Sequence, residues 1–260
     1  MKKNIKNIQK KGRQIGQILG INVNSTSTSL VLARVEDFIS DNTKFYIVTP
    51  NPEIILMAQK DKKLKNAMNG TELAIPDGVG LKLAIPDLPI IKGRELFSEL
   101  ITLAVKKNWK VFLLGGLDNE AELAAKRFRI HDSRFKIQTF RGPKLDNSAE
   151  PVSGVDRRLQ KEAIGKINKF SPQLLFVAFG NPKQEIWVHE YYSKLNIGGA
   201  MAVGGAFRYA AGLTKFPPKW MARWGLEWLW RLITEPQRVG RIFRAVIVFP
   251  VKVFLFKIRR

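Results

Sequence analysis

The stretch Leu73-Ala74-Ile75-Pro76-Asp77-Gly78-Val79-Gly80 carries an apolar run, typical of a strand, directly into an acidic residue and two glycines. A carboxylate at such a position can face a cleft, and glycines allow a ligand to approach the backbone closely. We therefore predict that Asp77 is a general base. Two structural alternatives stay open from these residues alone: an ordinary Asp-Gly turn, or an N-cap for a helix over 79–83.

The segment before this stretch also places a polar turn directly after a strand. Residues 44–48 are a predicted strand, and Thr49-Pro50-Asn51-Pro52 follows at once. Asn51 is the predicted N-cap of a helix over 53–66, with Pro52 as its first residue. Further strands are predicted at 17–23, 110–114, 136–140, 173–179 and 199–203, and helices at 25–39, 95–108, 119–128, 156–169 and 182–192. This alternation predicts an α/β fold with a mostly parallel, Rossmann-like sheet and helices on both faces.

Ligands of such sheets bind beyond the carboxyl ends of the strands, and every polar motif found here follows a strand. The candidate substrate-binding residues are Thr49, Asn51, Gly115, Gly116, Gln184, Gly204 and Gly205. One convergent cleft would explain them all. Gly115-Gly116 lacks the full dinucleotide fingerprint, so a tight turn is the simpler interpretation of that pair. For Gln184, in the polar stretch 180–185, a functional role and simple solvation both stay open.

The net charge of +22 predicts a polyanionic partner, such as nucleic acid, an anionic membrane or a phosphorylated substrate. The charge is concentrated at the two ends of the chain. Residues 206–260 hold twelve Lys and Arg against two Glu, and no acid precedes Glu36. We therefore expect a basic N-terminal tail (1–16), a catalytic core (17–215) and an amphipathic, membrane-docking C-terminal appendage (216–260).

Several kinds of site are excluded or disfavoured. The absence of cysteine excludes disulfides and thiolate metal sites. His131 and His189 lie far apart without metal-ligand spacing, and both are expected at the surface. No Asp-x-Asp motif occurs, so neither a metal nor another cofactor is expected. No signal peptide is recognisable, and no apolar run reaches the roughly 18 residues of a membrane span.

The C-terminal appendage combines aromatic and basic residues at helical spacing. Trp220, Trp224 and Trp228 share one face, for which core packing is the alternative to a membrane contact. Arg223, Glu227 and Arg231 share another, for which a solvated salt-bridge ladder is the alternative to phosphate binding. After Pro236, three arginines alternate with apolar residues, as in interfacial helices. These are Arg238, Arg241 and Arg244, and the tail beyond them adds Phe254 and Phe256.

The sequence as a whole resembles the WecG/TagA/CpsF glycosyltransferases (glycosyltransferase family 26). The resemblance extends over roughly residues 17–244 and is carried by motifs whose order and spacing match. They are Thr49-Pro-Asn-Pro52, Ile75-Pro-Asp-Gly-Val-Gly80, Val111-Phe-Leu-Leu-Gly-Gly116, Val177-Ala-Phe-Gly-Asn-Pro-Lys-Gln-Glu185, Val203-Gly-Gly-Ala-Phe207, Gly225-Leu-Glu-Trp-Leu-Trp-Arg-Leu232 and Glu235-Pro-Gln-Arg238.

The resemblance implies an inverting transfer of a sugar, typically N-acetylmannosamine from its UDP derivative, to polyprenyl-diphosphate-linked N-acetylglucosamine. Such enzymes serve surface-polymer synthesis, such as that of teichoic acid or exopolysaccharide, on the cytoplasmic side of bacterial membranes. The resemblance assigns the base to Asp77 and sugar contacts to Thr49, Asn51 and Gln184. It also assigns the basic appendage to the diphosphate and the anionic membrane. We place Arg223, Arg231, Arg238 and Arg241 at the diphosphate, and Trp220, Trp224, Arg244, Phe254 and Phe256 at the membrane.

Three features depart from the family pattern. Ile90 stands where members commonly have Arg, for which Lys92 or Arg94 would compensate, and Arg208 stands where many have Asp. The tail after Arg244 is also longer and more apolar than expected. The first two departures leave the sugars open, and the third favours membrane attachment.

Two other classes of protein are alternatives to a glycosyltransferase. A nucleic-acid-binding protein would explain the charge but has no recognisable module here, so no nucleic-acid partner is expected. A nucleotide-dependent oxidoreductase lacks its glycine fingerprint. The sequence does not decide whether the chain forms a homo-oligomer.

Overall fold

A computed structural model describes residues 15–218, 220–221, 224–234 and 236–258, with the side chains of Ile15 and Arg238 left aside. Within these residues, six strands form a sheet of order β4-β3-β8-β7-β5-β6 in which every neighbouring pair is parallel. The strands are β3 (Phe45–Val48), β4 (Leu73–Ala74), β5 (Val111–Gly115), β6 (Ile137–Phe140), β7 (Leu174–Ala178) and β8 (Gly199–Ala202). The predicted α/β fold with a parallel sheet is confirmed.

The first predicted strand, 17–23, is wrong as a single element. The chain instead forms an antiparallel hairpin of β1 (Ile15–Ile18) and β2 (Ile21–Asn24), separate from the main sheet. Leu19 and Gly20 turn the chain with φ angles of 49° and 75°. The apolar Leu19 concealed this turn, because a leucine with positive φ is uncommon and gives no turn signal in the sequence.

Helices connect the parallel strands. They are α1 (Thr28–Ser40), α2 (Pro52–Ala58), α3 (Lys62–Asn69), α4 (Gly93–Lys106), α5 (Glu120–His131), α6 (Gly154–Phe170), α7 (Lys183–Tyr191) and α8 (Ala206–Ala210). The single helix predicted over 53–66 is wrong, since the chain breaks after Ala58 and restarts at Asp61. The Asp61 carboxylate caps α3 by accepting a hydrogen bond from the Leu64 N–H at 3.0 Å. His131 and His189 are exposed, as predicted.

The central strands are buried on both faces, because alternate side chains enter two different apolar clusters. Tyr46 and Val48 of β3 pack in a cluster with residues of α3, α6 and α7, including Trp187. Phe45 and Ile47 pack on the opposite face with residues of α1, α4 and α5. The sheet is therefore the middle of three layers, and its strand ends are left to form a site.

The C-terminal segment continues as α9 (Glu227–Thr234), a 3-10 turn (Pro236–Arg238), α10 (Val239–Phe243), a π-helical turn (Arg244–Val248) and α11 (Phe249–Ile258). Pro250 follows the π turn; a proline inside a helix displaces the carbonyl four residues before it, which accounts for the widened turn. Phe249 and Val253 are buried in the first apolar cluster. The segment is therefore attached to the core at its far end. Within the described residues, no helix is long and apolar enough to cross a membrane.

Candidate active site

Asp77 lies just beyond β4, in a turn fixed by backbone hydrogen bonds. Its N–H donates to the Pro50 carbonyl at 2.8 Å, and the carbonyl of Pro76 accepts from the Ile91 N–H at 3.0 Å. Gly78 follows with a φ of 101°, a backbone conformation that favours glycine, and it is the N-cap of a 3-10 helix over Val79–Leu83. The helix-cap alternative for Asp77 is therefore wrong, and its carboxylate faces elsewhere.

The Asp77 carboxylate is held instead by a backbone group across the site. Its Oδ2 accepts a hydrogen bond from the Gly93 N–H at 3.1 Å. Burial raises the pKa of Asp77, while the Gly93 N–H and the nearby guanidinium groups of Arg231 and Arg94 act in the opposite direction. Glu227 adds to the upward shift in this pKa. A carboxylate with a raised pKa is a stronger base than an ordinary aspartate.

Asp77 lines a cavity of about 350 Å³ between the strand ends and the C-terminal segment. Asn51, Glu53 and Lys92 contribute to the wall on the core side, and the Asn51 Oδ1 accepts from the Ile54 N–H at 3.0 Å. This confirms Asn51 as the N-cap of α2. The opposite wall consists of residues of the C-terminal segment. They include Gly225, Glu227, Trp228, Arg231, Arg241, Ile242, Ala245, Val246 and Pro250.

Gly93 lets the side chains of Thr49 and Asp77 pack closely against its backbone. A Cβ added at Gly93 would lie 3.2 Å from Thr49 Oγ1 and 3.3 Å from Asp77 Oδ2, which is tighter than ordinary contact. Thr49 does not line the cavity. Its side chain lies next to Gly93, as the Asp77 carboxylate does. The sequence analysis missed the role of Gly93, for which a lone glycine between Lys92 and Arg94 was the available signal.

Gln184 is buried, with 2% of its surface exposed, and ties together the ends of two strands. Its Oε1 accepts from the N–H groups of Gly180 at 3.1 Å and Gly204 at 3.0 Å. Its amide nitrogen donates to Asn181 Oδ1 and Glu185 Oε1, at 2.9 and 2.8 Å. All of its usual hydrogen-bonding capacity is occupied. In this arrangement Gln184 orders the turns after β7 and β8, and the contact with a sugar stays a prediction.

One glycine pair, Gly115-Gly116, stands at the end of β5 and the other, Gly204-Gly205, follows β8; neither pair lines the Asp77 cavity. Gly115 and Gly116 form a tight turn in which the Gly116 N–H donates to the Ala178 carbonyl at 2.9 Å. Gly204 binds Gln184 through its N–H, and Gly205 precedes α8. The chain leaves β5 towards one edge of the sheet and leaves β7 towards the other. Parallel sheets commonly bind ligands at such a point of divergence.

Two of the four predicted phosphate-binding arginines line the cavity. Arg231 and Arg241 line the cavity, and Arg241 Nε contacts Glu53 Oε1 at 2.5 Å. Arg238 lies in the 3-10 turn before α10, whereas Arg223 lies outside the described residues. The predicted salt-bridge ladder is not the arrangement found for Glu227. That carboxylate pairs across the cavity mouth with Lys92 Nζ at 2.6 Å and Arg94 Nη2 at 2.8 Å.

The residues assigned to the membrane lie mostly at the surface. Trp220, Trp224 and Trp228 are 59%, 80% and 38% exposed, so core packing, the alternative for these tryptophans, is wrong. Arg244 is exposed, and so are Phe254 and Phe256 on α11. This surface combines apolar and cationic side chains next to the cavity.

Glu185 is a buried carboxyl that the sequence analysis did not single out. Burial raises its pKa to about 7, against the opposing effects of the Gln184 amide and Arg241. Its Oε1 accepts from Gln184, while its Oε2 is buried without a hydrogen-bond partner. Glu185 therefore lies next to the residue that orders the strand ends, with a proton affinity unusual for glutamate.

Comparison with known proteins gives independent evidence on the family of this chain. A model of the family described as "Glycosyl transferase WecG/TagA/CpsF family" matches residues 16–260. Three similar proteins are named N-acetylglucosaminyldiphosphoundecaprenol N-acetyl-β-D-mannosaminyltransferase. The protein from Bacillus subtilis is 30% identical over 85% of this chain and 83% of its own length, and that from Bacillus spizizenii 29% over the same shares. The protein from Staphylococcus aureus is 28% identical over 91% of both chains.

The match extends from the β1–β2 hairpin through the sheet and the C-terminal segment, and so includes both walls of the cavity. The chain therefore belongs to the WecG/TagA/CpsF family of glycosyltransferases.

Proposed function

We propose that this protein transfers N-acetylmannosamine from UDP-N-acetylmannosamine to N-acetylglucosamine carried on polyprenyl diphosphate. The product would enter teichoic acid or another bacterial surface polysaccharide. The observation that carries the proposal is Asp77, a carboxylate of raised pKa, facing a cavity whose opposite wall holds Arg231 and Arg241. The printed names of the relatives supply the identities of the two sugars.

The reaction is a direct displacement with inversion at the anomeric carbon. The acceptor hydroxyl gives its proton to Asp77 while its oxygen bonds to the sugar and UDP departs with the electron pair. The Gly93 N–H fixes Asp77 Oδ2, so Oδ1 is the oxygen that receives the proton. Asn51 in the wall and Thr49 beside the base hold the sugars, and Gln184 keeps the neighbouring turns in register.

Cationic side chains stabilise the departing diphosphate in place of a metal ion. Arg231 and Arg241 already face the cavity from the C-terminal segment. Fixed positive charges directed at a developing negative charge stabilise a transition state efficiently. Activity that vanishes in EDTA and returns with magnesium or manganese would contradict this part of the proposal.

The acceptor lipid stays in the bilayer, so the cavity has to be brought to the membrane surface. The exposed Trp220, Trp224 and Phe254, together with cations such as Arg244, suit peripheral attachment to the anionic cytoplasmic face. The same segment would then complete the active site and hold it at the bilayer.

The deciding experiment offers the protein polyprenyl-diphosphate N-acetylglucosamine together with a panel of UDP-sugars. A disaccharide on the lipid that forms from UDP-N-acetylmannosamine is the expected product, identified by mass spectrometry. Analysis of its linkage by NMR tests inversion. Absence of product with every sugar of the panel, from protein that is folded and vesicle-bound, would refute the proposed function.

A further inference from the structure

Lys92 and Arg94 bind one carboxylate that comes from a distant part of the chain. Glu227 Oε1 lies 2.6 Å from Lys92 Nζ, and Glu227 Oε2 lies 2.8 Å from Arg94 Nη2. Lys92 Nζ also lies 3.3 Å from Glu95, whose side chain is exposed. The two cations flank Gly93, which holds the Asp77 carboxylate. Arg94 therefore acts electrostatically on Asp77, and Lys92 lines the same cavity as Asp77.

The Arg94 guanidinium is fixed independently of Glu227. It lies 5.3 Å from the ring centre of Tyr209 and 5.7 Å from that of Phe216. Its side chain is 11% exposed, and its Nε is buried without a hydrogen-bond partner. Stacking on rings pre-organises a guanidinium, which leaves its N–H groups available for an anion. Arg94 would thus keep its orientation if Glu227 moved away.

Carboxylates and phosphates present similar pairs of oxygens to a guanidinium. We propose that Lys92 and Arg94 form an anion subsite for the diphosphate of a substrate, and that Glu227 occupies this subsite until the diphosphate displaces it. Lys92 lines the cavity, and Glu227 is the first residue of α9. A small movement of the start of α9 would open the subsite without disturbing the sheet. The inference rests on the proposed function for the identity of the anion.

Inorganic pyrophosphate tests the subsite without any transfer reaction. Calorimetric titration of full-length Glu227→Gln should show roughly threefold to tenfold tighter binding than the unaltered protein, because partly exposed ion pairs contribute up to about one power of ten. In Glu227→Gln combined with Lys92→Met, this gain should disappear. Glu190→Gln is the matched control, since it removes the same charge from a pair with Lys63 that does not line the cavity.

Two outcomes would overturn the proposal. One is unchanged or weaker pyrophosphate binding by Glu227→Gln, in a protein whose melting temperature shows that it is folded. The other is a gain that Glu190→Gln reproduces or that survives Lys92→Met. Because no sugar transfer is measured, either result can be told apart from failure of the proposed function.

The same variants identify the substrate. UDP and farnesyl diphosphate carry the two kinds of diphosphate, that of the donor and that of the lipid acceptor. A gain for UDP that depends on Lys92 assigns the subsite to the donor, and a gain for farnesyl diphosphate assigns it to the acceptor. A gain for neither would overturn the assignment to a substrate diphosphate.

Discussion

The two walls of the Asp77 cavity are held in place by different interactions. On the sheet side, backbone hydrogen bonds fix the turn of Asp77 to Pro50, and a backbone N–H fixes its carboxylate. On the other side, the C-terminal segment meets the cavity mouth through ion pairs of Glu227 and Arg241. Partly exposed ion pairs contribute only about 0–1 kcal/mol and weaken with salt. Asp77 therefore has a fixed position, whereas the part of the opposite wall that carries Glu227 is held mainly by ion pairs and can rearrange more readily than the end anchored by Phe249 and Val253.

The two walls also suit two different tasks, proton transfer and the binding of a diphosphate. Proton transfer requires a group at hydrogen-bond distance in a fixed orientation, which backbone contacts provide. Binding of a long lipid diphosphate requires a wall that opens and closes. Variants directed at each wall in turn test whether this division holds.

The largest expected effect belongs to the base. Asp77→Asn keeps the shape of the side chain but removes its capacity to accept a proton, so kcat should fall by about 10²–10⁴-fold. Donor binding, measured by titration with UDP, should change little. Asp87→Asn, an exposed aspartate in a loop, is the matched control. An Asp77→Asn protein that turns over normally would end the assignment.

The pH dependence of the same reaction gives a second measurement on the base. Because burial raises the pKa of Asp77, the carboxylate is protonated and inactive until the pH exceeds this raised value. The acidic limb of the kcat/KM profile, which reports the free enzyme, should therefore lie above the ordinary aspartate pKa of about 4. The limb should be absent from the residual activity of Asp77→Asn.

The surface of the C-terminal segment that we propose faces the membrane comes next in expected effect. Trp224 and Phe254 are 80% and 63% exposed, and insertion of a large apolar side chain contributes about 1.5–3 kcal/mol. Replacing both with serine should lower binding to anionic vesicles by roughly tenfold or more, measured by co-sedimentation, while transfer to a water-soluble, short-chain acceptor persists. Ile130→Ser, at an exposed position on α5, provides the control. Equal vesicle binding by the double variant would argue against membrane attachment through this surface.

A single methyl group tests how closely the sheet wall is fixed. Gly93→Ala would place a Cβ 3.2 Å from Thr49 and 3.3 Å from Asp77, so one of them has to shift by a few tenths of an ångström. Since small misplacements of reacting groups are costly, we expect kcat to fall by about tenfold. Gly165→Ala in α6 meets no atom within 4 Å and should leave kcat unchanged. If both variants behave alike, the close packing around Asp77 has no catalytic importance.

The smallest effect on the reaction is expected at Glu185, where the measured quantity is stability. Its pKa is raised to about 7 in the folded protein, against about 4.3 in an unfolded chain. The folded state therefore binds more protons between these values, and this contribution to stability, present at low pH, is lost as the pH rises through 7. The loss amounts to roughly 4 kcal/mol at most.

Glu185→Gln removes this titration and keeps the oxygen that accepts from Gln184. Its melting temperature relative to the unaltered protein should therefore increase from pH 5 to pH 8. Glu99→Gln, exposed on α4, gives the background. If the difference in melting temperature between Glu185→Gln and the unaltered protein did not depend on pH, Glu185 would not be a buried carboxyl with a raised pKa.

Much of the fold could be predicted because its signals are local. The apolar runs of the strands, the Asn51 cap and the glycines after β5 and β8 each leave a pattern within a few neighbouring residues. The turn at Leu19 and the break between α2 and α3 could not be predicted in this way. In each case the local signal was a single residue, Gly20 in the turn and Asp61 as the cap of α3, within a run whose other residues fit one continuous element.

The candidate site was only partly predictable for the same reason. Asp77 and Asn51 were found because each stands in a local motif. The pairing of Glu227 with Lys92 joins positions far apart in the chain, and the hydrogen bonds of Gln184 depend on where β8 ends. Long-range partners of this kind leave no pattern in a single sequence.

The backbone attachment of Asp77 has an evolutionary consequence. Because peptide groups rather than side chains hold the turn, substitutions at lining positions such as Leu83 and Ile90 can change what the cavity admits while the carboxylate stays where it is. Substitutions of this kind would alter which sugar the cavity accepts without moving the carboxylate. The turn would keep the position of Asp77 constant while the substrate specificity of the cavity changes during evolution.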